Sequence, residues 1–455
     1  MIVMKFGGTS VGLAPNFANA CELVSKRRDR RPVVVVSALS GVTNLLLEYA
    51  RVAECRAETA ARLPAHHREF ARAVRVDERV LDALLAEWDE CDRRWRDAGA
   101  LSSAERDQVL SFGERWSAAL FAAGLAAHGL EAVARHAGDV GLVTDDRFGA
   151  AHPLPEALAR VAAELAPGPP VAVVTGFLGR TADGRVTTLG RGGSDYSAAF
   201  IGAALGAEEI QIWTDTSGML SADPRNVPEA RVVPHLSFTE ASELAYFGAK
   251  VLHPKTLLPA IERDVPVRIL NTARPDDPGS LITASAPPSG QDWRVKSIAS
   301  KKGVTAVTIA STRMLQAHGF LARVFDVFGR HHIVVDLVTT SEVSISITVD
   351  DVSRLDAALA DLEGIGRVEV REGLAVVAVV GEGAPTRVGL PGHVFTLLGG
   401  VGIGVEMISQ GASRVNLSFV VREADADRAV RLLHRGLGLD IESTQATTLR
   451  PPALA

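Results

Sequence analysis

Residues 31–39 read RPVVVVSAL. Four consecutive valines leave no polar face, which is the pattern of a strand buried on both sides inside a helix-covered sheet. Runs of the same kind recur as MIVMKF at the start, VAVVTGFLG at 171–179, EEIQIWTD at 208–215 and VPVRIL at 265–270. Helix-like stretches lie between them: residues 16–30, a charged and alanine-rich span from about 44 to 97, and SDYSAAFIGAALGA before the fourth run. Strand and helix alternating in this way predict an α/β domain with a mainly parallel sheet.

Composition changes at about residue 275, where PDDPGSLITASAPPSGQD reads as a linker or an exposed turn region. The expected layout is a first domain over 1–285, a linker over 286–300 and a second, α+β part over 301–455. That second part contains an internal repeat at a constant offset of 70 residues. Val324 meets Val394, Phe325 meets Phe395, Ile333 meets Ile403, Asp336 meets Glu406, and Ile345 meets Val415. The repeat cores are expected at about 304–372 and 373–440, each reading as helix, turn, strand, turn, strand. One copy is too small to bury much surface alone, so the two are expected to pack together as a binding module.

The bulk numbers narrow the function classes. A chain of 455 residues with 47% hydrophobic content suffices for two or three packed domains. A net charge of −6 gives no global basic field for nucleic acid. Cys21, Cys55 and Cys91 are too widely spaced for a zinc site or a disulfide framework. They are expected to be small buried residues in a reducing compartment. No basic segment with a long apolar stretch opens the chain, and no apolar run reaches bilayer length. The expected setting is the cytoplasm, without membrane or nucleic-acid partners.

Four stretches carry candidate chemistry. KFGGTSVG at 5–12 ends a buried strand with Lys5 and follows it with Gly7 and Gly8. An ammonium then stands beside bare backbone N–H groups that an anion can approach. The plainer alternative is a strand-end turn with an exposed lysine, and the spacing of a P-loop is absent. TTLGRGGSDYSAA at 187–199 is a second strand–glycine–helix junction. Arg191 has the fork that suits a carboxylate or phosphate; Ser194 can cap the helix and Asp195 lies in its first turn. In WTDTSGMLSADPR at 213–225, Thr214 and Asp215 end a strand where open α/β sheets bind ligands. Arg225, and Lys250 further on, are cations whose commoner fate is the surface. In SFGERWSAA at 111–119, Glu114 is either a helix-start charge or the acceptor of a substrate ammonium.

These motifs, with VVVVSALSGVTNLL and ELAYFGAKVLHPKT, stand in the order and spacing of aspartate kinase, and the resemblance spans essentially the whole chain. The resemblance implies an amino-acid-kinase fold followed by two ferredoxin-like ACT domains. It separates the chain from glutamate 5-kinase, acetylglutamate kinase and uridylate kinase. It implies ATP and Mg²⁺ as cofactors and L-aspartate as the substrate, phosphorylated on its side-chain carboxylate. Lys5 would stabilise the phosphoryl group in flight, with Gly7 and Gly8 beside it and Asp195 organising cations near the phosphates. Arg191 would grip the α-carboxylate and Glu114 the ammonium, with Thr43, Phe177 and Ser194 completing the pocket. Lys5, Ser10, Thr214, Asp215, Leu220, Arg225 and Lys250 would hold the nucleotide. Leu220 is a departure: many relatives have a tyrosine there, and leucine offers no hydroxyl.

The stretch 314–344 resembles the lysine-sensing ACT copy of lysine-inhibited aspartate kinases. There the effector sits between ACT copies of two subunits. The resemblance therefore implies L-lysine as effector and a homodimer or homotetramer formed through these domains. The matched positions are Met314, Gly319, Leu321, Val335, Asp336, Thr340, Ser341 and Glu342. The plainer alternative for Asp336 is a strand-end cap. Gln316 and Ala317 depart from the histidine and serine of that subgroup, so whether lysine sensing is kept, weakened or abolished is left to the lysine test. His331 and His332 make no metal pair, because neighbours at a helix end point apart. The length leaves no room for a fused homoserine dehydrogenase, so a monofunctional enzyme is expected. The rivals are another amino-acid kinase, distinguished by a substrate panel, and a catalytically dead amino-acid sensor, distinguished by binding without turnover.

Overall fold

The computed structural model describes residues 1–165, 170–248, 252, 254–287, 293–314, 318–411 and 414–440. Two compact units divide the chain: Met1–Met219, Pro234–Ser242 and Lys250–Ala286 form the first, and Leu220–Val233, Glu243–Ala249 and Pro287–Ala455 the second.

The first unit is built on an eight-stranded sheet. Its order is Ala132–Arg135, Val171–Thr175, Pro32–Val36, Ile2–Phe6, Glu209–Thr214, Val267–Asn271, Ser280–Thr283 and His235–Ser237. The first six strands run parallel. Every residue of Ile2–Phe6 and Pro32–Val36 is buried, as their unbroken apolar runs require. Helices Val42–Arg51, Arg56–Ala73, Asp82–Trp95 and Ser103–Ala127 cover one face and share a core in which Trp88, Trp116, Phe112 and Phe121 are fully buried.

Three expectations change here. VAVVTGFLG is not one strand: it leaves the main sheet at Thr175, turns at Phe177 with φ +65°, and continues as Leu178–Thr181 in a separate three-stranded sheet. The stretch read as a linker contributes the strand Ser280–Thr283, whose Ser280 and Ile282 are fully buried against Val267–Asn271. Its burial alternates, but the four residues SLIT carry no period-two pattern in sequence and stand between prolines and glycines. Cys21 and Cys91 are buried, but Cys55 is half-buried.

The second unit holds a six-stranded antiparallel sheet in the order Val338–Thr340, Ser344–Val349, Ser297–Ala310, Arg367–Val380, Asn416–Arg422, Met407–Ser409. The offset of 70 holds for the helices Phe320–Arg330 and Leu390–Gly400 and also for the two 14-residue strands Ser297–Ala310 and Arg367–Val380. Each copy therefore opens with a strand and closes with a second helix, Leu355–Glu363 or Glu423–Gly436, more than the five-part pattern expected. The first long strand also begins inside the stretch 286–300 expected to be a linker. The long strands are shared. Residues 305–310 pair with Ser344–Val349 of the first copy, whereas 374–380 pair with Asn416–Arg422 of the second. Gly303 (φ +72°) and Gly373 (φ +69°) sit at the crossover, where a left-handed residue lets each strand shift register.

Candidate functional site

The site lies at the carboxyl ends of the parallel strands, where an open α/β sheet leaves backbone N–H groups free for a ligand. A cavity of about 640 Å³ opens there, lined among others by Lys5, Thr43, Glu114, Phe177, Arg191, Ser194 and Asp195. The structure thus brings together seven side chains that the sequence proposed from five separate segments.

Lys5 is the fourth residue of Ile2–Phe6 and is only 8% exposed. Its Nζ stands 2.7 Å from Asp195 Oδ1. Asp195 lies in the first turn of the helix Gly193–Leu205. The cap of that helix is Gly192 at φ +72° and not Ser194, which lies inside the helix. Glycine is required there because the chain must reverse in the left-handed region to send Arg191 to the cavity. Gly7 follows Lys5 closely enough that a Cβ would meet Lys5 Nζ at 3.5 Å, and one on Gly8 would meet the Ala38 carbonyl at 3.0 Å.

Glu114 is not at a helix start. It lies in the middle of Ser103–Ala127, whose first turn is fixed by a reciprocal capping box between Ser102 and Glu105. One carboxylate oxygen, Oε1, accepts from the Ala38 backbone N–H at 3.1 Å, while Oε2 is buried without a partner. Burial pushes the Glu114 carboxyl up to about 8, against the lowering effect of the Ala38 amide. A buried acid with one unsatisfied oxygen in the lining of a cavity is suited to a ligand ammonium. Arg191 is exposed and has no ion pair among the described residues.

The nucleotide set assembles less completely. Thr214 and Asp215 end the strand beside that of Lys5, with Thr214 Oγ1 3.2 Å from Asp215 Oδ1. The Ser10 hydroxyl is 1% exposed and is committed to Thr272 Oγ1 at 2.7 Å and the Trp213 carbonyl at 3.2 Å. It ties strand ends together and is not available to a ligand. Leu220 and Arg225 fall in the second unit. Arg225 is held by Asp223 through Nε at 3.0 Å. Lys250 lies outside the described residues, as do Gln316 and Ala317.

The cavity also exposes residues that the motifs missed: Arg51, Arg106, Asp107 and Phe148. A helical reading would have found two of them. Asp107 lies seven residues before Glu114, and Arg51 eight after Thr43, so each shares a helix face with a residue already proposed.

In the second unit, the eight positions matched to an effector are dispersed between core and surface. Met314 and Val335 pack against the first-copy core, and Gly319 caps Phe320–Arg330 at φ +76°. Leu321 is 40% exposed, and Thr340 and Glu342 are exposed. Ser341 Oγ bonds Ser344 Oγ at 2.8 Å. The Asp336 side chain is fully buried and already holds an ammonium, Lys301 Nζ at 3.1 Å, and the Tyr246 hydroxyl. His331 bonds Asp361 at 2.9 Å, while His332 is exposed at φ +54°. Among the described residues, no group of three His, Cys, Asp or Glu could hold a metal ion, and no helix is long and apolar enough to cross a membrane.

Comparison with known proteins gives the same two-part division. The amino acid kinase family matches residues 1–271, and the ACT domain matches 307–363 and 377–437. The chain is 39% identical to the chloroplastic aspartokinase 1 of Arabidopsis thaliana over 95% of its length and 79% of that relative. It is 38% identical to the lysine-sensitive aspartokinase 3 of Escherichia coli K12, over 96% of this chain and 99% of the other. The crystal structure of E. coli aspartokinase III with aspartate and ADP superposes with a TM-score of 0.81 at 36% identity, covering 96% of this chain and 99% of that one.

Proposed function

The chain belongs to the aspartokinase family, and on that premise we propose that its cavity transfers the γ-phosphoryl group of ATP to the side-chain carboxylate of L-aspartate. A carboxylate oxygen forms the new O–P bond, the bond to the ADP leaving oxygen breaks, and the product is 4-phospho-L-aspartate. Aspartate is ionised at pH 7, its side-chain pKa being roughly 4, so no general base is needed. The chemistry rests on position and charge.

The observation that carries this reading is Glu114, a buried acid with a free oxygen on a cavity that also presents the unpaired Arg191. Together they suit the ammonium and α-carboxylate of an amino acid. Lys5, held by Asp195, meets the phosphoryl charge, and Gly7 and Gly8 leave the backbone open to it. Thr43, Phe177 and Ser194 complete the pocket wall. Thr214 and Asp215 are assigned to the nucleotide, with Leu220, Arg225 and Lys250 as further contacts. A Mg²⁺ ion would enter as a companion of the nucleotide phosphates, with Asp195, a cavity carboxylate whose Oδ1 has no hydrogen-bond partner, as the residue that would hold it; it would supply charge neutralisation.

We assign the reaction to the entry of lysine, threonine and methionine biosynthesis, with lysine as the feedback effector and the ACT pair as its seat. Support comes from the lysine-sensitive E. coli relative. The exposed Leu321, Phe325, Val334 and Val343 support self-association through the first ACT copy. The test is ADP release with ATP, Mg²⁺ and L-aspartate, with and without millimolar lysine. Turnover suppressed by lysine supports both halves of the proposal. Turnover indifferent to lysine keeps the kinase and removes the effector. Effector binding without turnover on aspartate or other amino acids overturns the kinase reading in favour of a sensor.

A further inference from the structure

Asp107 is 2% exposed on the helix Ser103–Ala127, and three donors converge on its carboxylate from two other segments. Oδ2 accepts from the backbone N–H of Gly149 at 3.0 Å and of Thr188 at 2.8 Å, while Oδ1 receives the Thr188 hydroxyl at 3.0 Å. Burial pushes this carboxyl up, and the three donors counter it. The two segments also hold each other, since the Ala151 N–H donates to the Thr188 carbonyl at 2.9 Å. Three residues past Thr188 comes Arg191. The intervening turn is short and tight: the Leu189 N–H donates to the Phe177 carbonyl at 2.9 Å, and a Cβ on Gly190 would meet the Gly149 carbonyl at 3.2 Å.

We propose that Asp107 is a positioning residue for the amino-acid substrate: it ties the 145–152 loop to the Thr188 strand end and so fixes where Arg191 and Phe148 face the cavity. Resting on the aspartate kinase reading, it assigns to Asp107 a part in substrate affinity without contact with the substrate. Arg185 over the Phe148 ring and Thr144 with Thr187 join the loop to the strand, but among the described residues only the Asp107 side chain hydrogen-bonds both of them from the helix that carries Glu114. Without it, the buried Thr188 N–H and the Gly149 N–H of the loop lose their acceptor, and the turn bearing Arg191 loses its anchor.

The experiment is steady-state kinetics on the full chain with aspartate and ATP varied separately, and thermal melting alongside. Asp107→Asn keeps the geometry: its amide oxygen accepts from both backbone N–H groups, and its NH₂ donates to Thr188 Oγ1. We expect Asp107→Ala to raise the KM for aspartate about ten-fold or more with the KM for ATP within about two-fold, Thr188→Val to raise it a few-fold, and Asp107→Asn to restore it. Equal rises in both KM values, or an unchanged KM for aspartate in the folded alanine variant, overturn the proposal. If Asp107→Ala does not fold, Thr188→Val decides, and a wild-type KM for aspartate there overturns it. Wild-type turnover on aspartate is the control: its absence sinks the kinase reading, whereas its presence with insensitive variants sinks only the role of Asp107.

Discussion

Lys301 and Asp336 form an ion pair that the internal repeat reproduces 70 residues on as Arg371 and Glu406. Each cation lies in the half of its own copy's long strand that serves the other copy's sheet, so each pair ties a copy to its own strand at the crossover. The two pairs differ in depth. The Asp336 side chain is fully buried, and Lys301 also meets Asp350 at 2.6 Å and lies 4.7 Å from the Tyr246 ring centre. Arg371, at 2.9 Å from Glu406, is 59% exposed.

That difference sets unequal costs. Lys301→Met leaves a buried carboxylate unpaired and should cost about 3 kcal/mol in denaturant unfolding. Arg371→Met should cost less than about 1 kcal/mol. Equal losses would show that burial does not distinguish the pairs. If an effector ammonium takes the Asp336 oxygen that Lys301 holds, it must displace Lys301. Lysine should then inhibit Lys301→Met at lower concentration than wild type, and Asp336→Ala should resist inhibition with its KM for aspartate largely kept. An unmoved inhibition curve in both variants would place the effector elsewhere.

Lys5 carries the sharpest kinetic expectation. Removing a fixed charge aimed at a developing oxyanion costs about 10²–10³ in kcat. Lys5→Ala should show that loss together with a lowered melting temperature, because the buried Asp195 Oδ1 is left without its cation. Near-normal turnover in this variant would take Lys5 out of the reaction.

Glu114 should impose a pH dependence on substrate capture. Its carboxyl is pushed up to about 8, so near neutrality the free enzyme holds mostly the protonated form. An ammonium needs the ionised form, and binding must expel the proton. The sign follows: log kcat/KM for aspartate should rise with a slope approaching one from about pH 6 and level off above about pH 8. Glu114→Gln should flatten that rise and lower kcat/KM about ten-fold or more. A wild-type profile flat across this window would mean that Glu114 does not receive the ammonium.

The parallel sheet and most of the residues gathered at the cavity were legible because their signals are local. An unbroken run such as VVVV has one stable environment, and Lys5, Arg191 and Asp195 each sit at a strand–glycine–helix junction. Ser280–Thr283 was missed because four residues between prolines and glycines carry too little pattern. Asp107 was missed because its meaning lies in Gly149 and Thr188, distant in sequence. That the Ser10 hydroxyl turns inward to Thr272 was not legible, because a short motif does not tell which of its side chains face inward. Asp336 was legible as an acid awaiting a cation, but not that Lys301 supplies one.

Gly113 tests whether the placement of Glu114 depends on close packing. A Cβ at Gly113 would stand 2.8 Å from Ala38 Cβ and 3.1 Å from Leu46 Cδ1. Ala38 is the residue whose N–H holds Glu114 Oε1. In Gly113→Ala, the helix Ser103–Ala127 must move away from that segment, stretching the bond that orients Glu114. Overpacking of this kind costs about 1–3 kcal/mol, offset in part by alanine's better helix propensity. The expected result is a modest loss of stability with a several-fold rise in the KM for aspartate and an ATP KM close to wild type. A variant that loses stability while keeping its aspartate KM would show that Glu114 keeps its aim without the Ala38 contact.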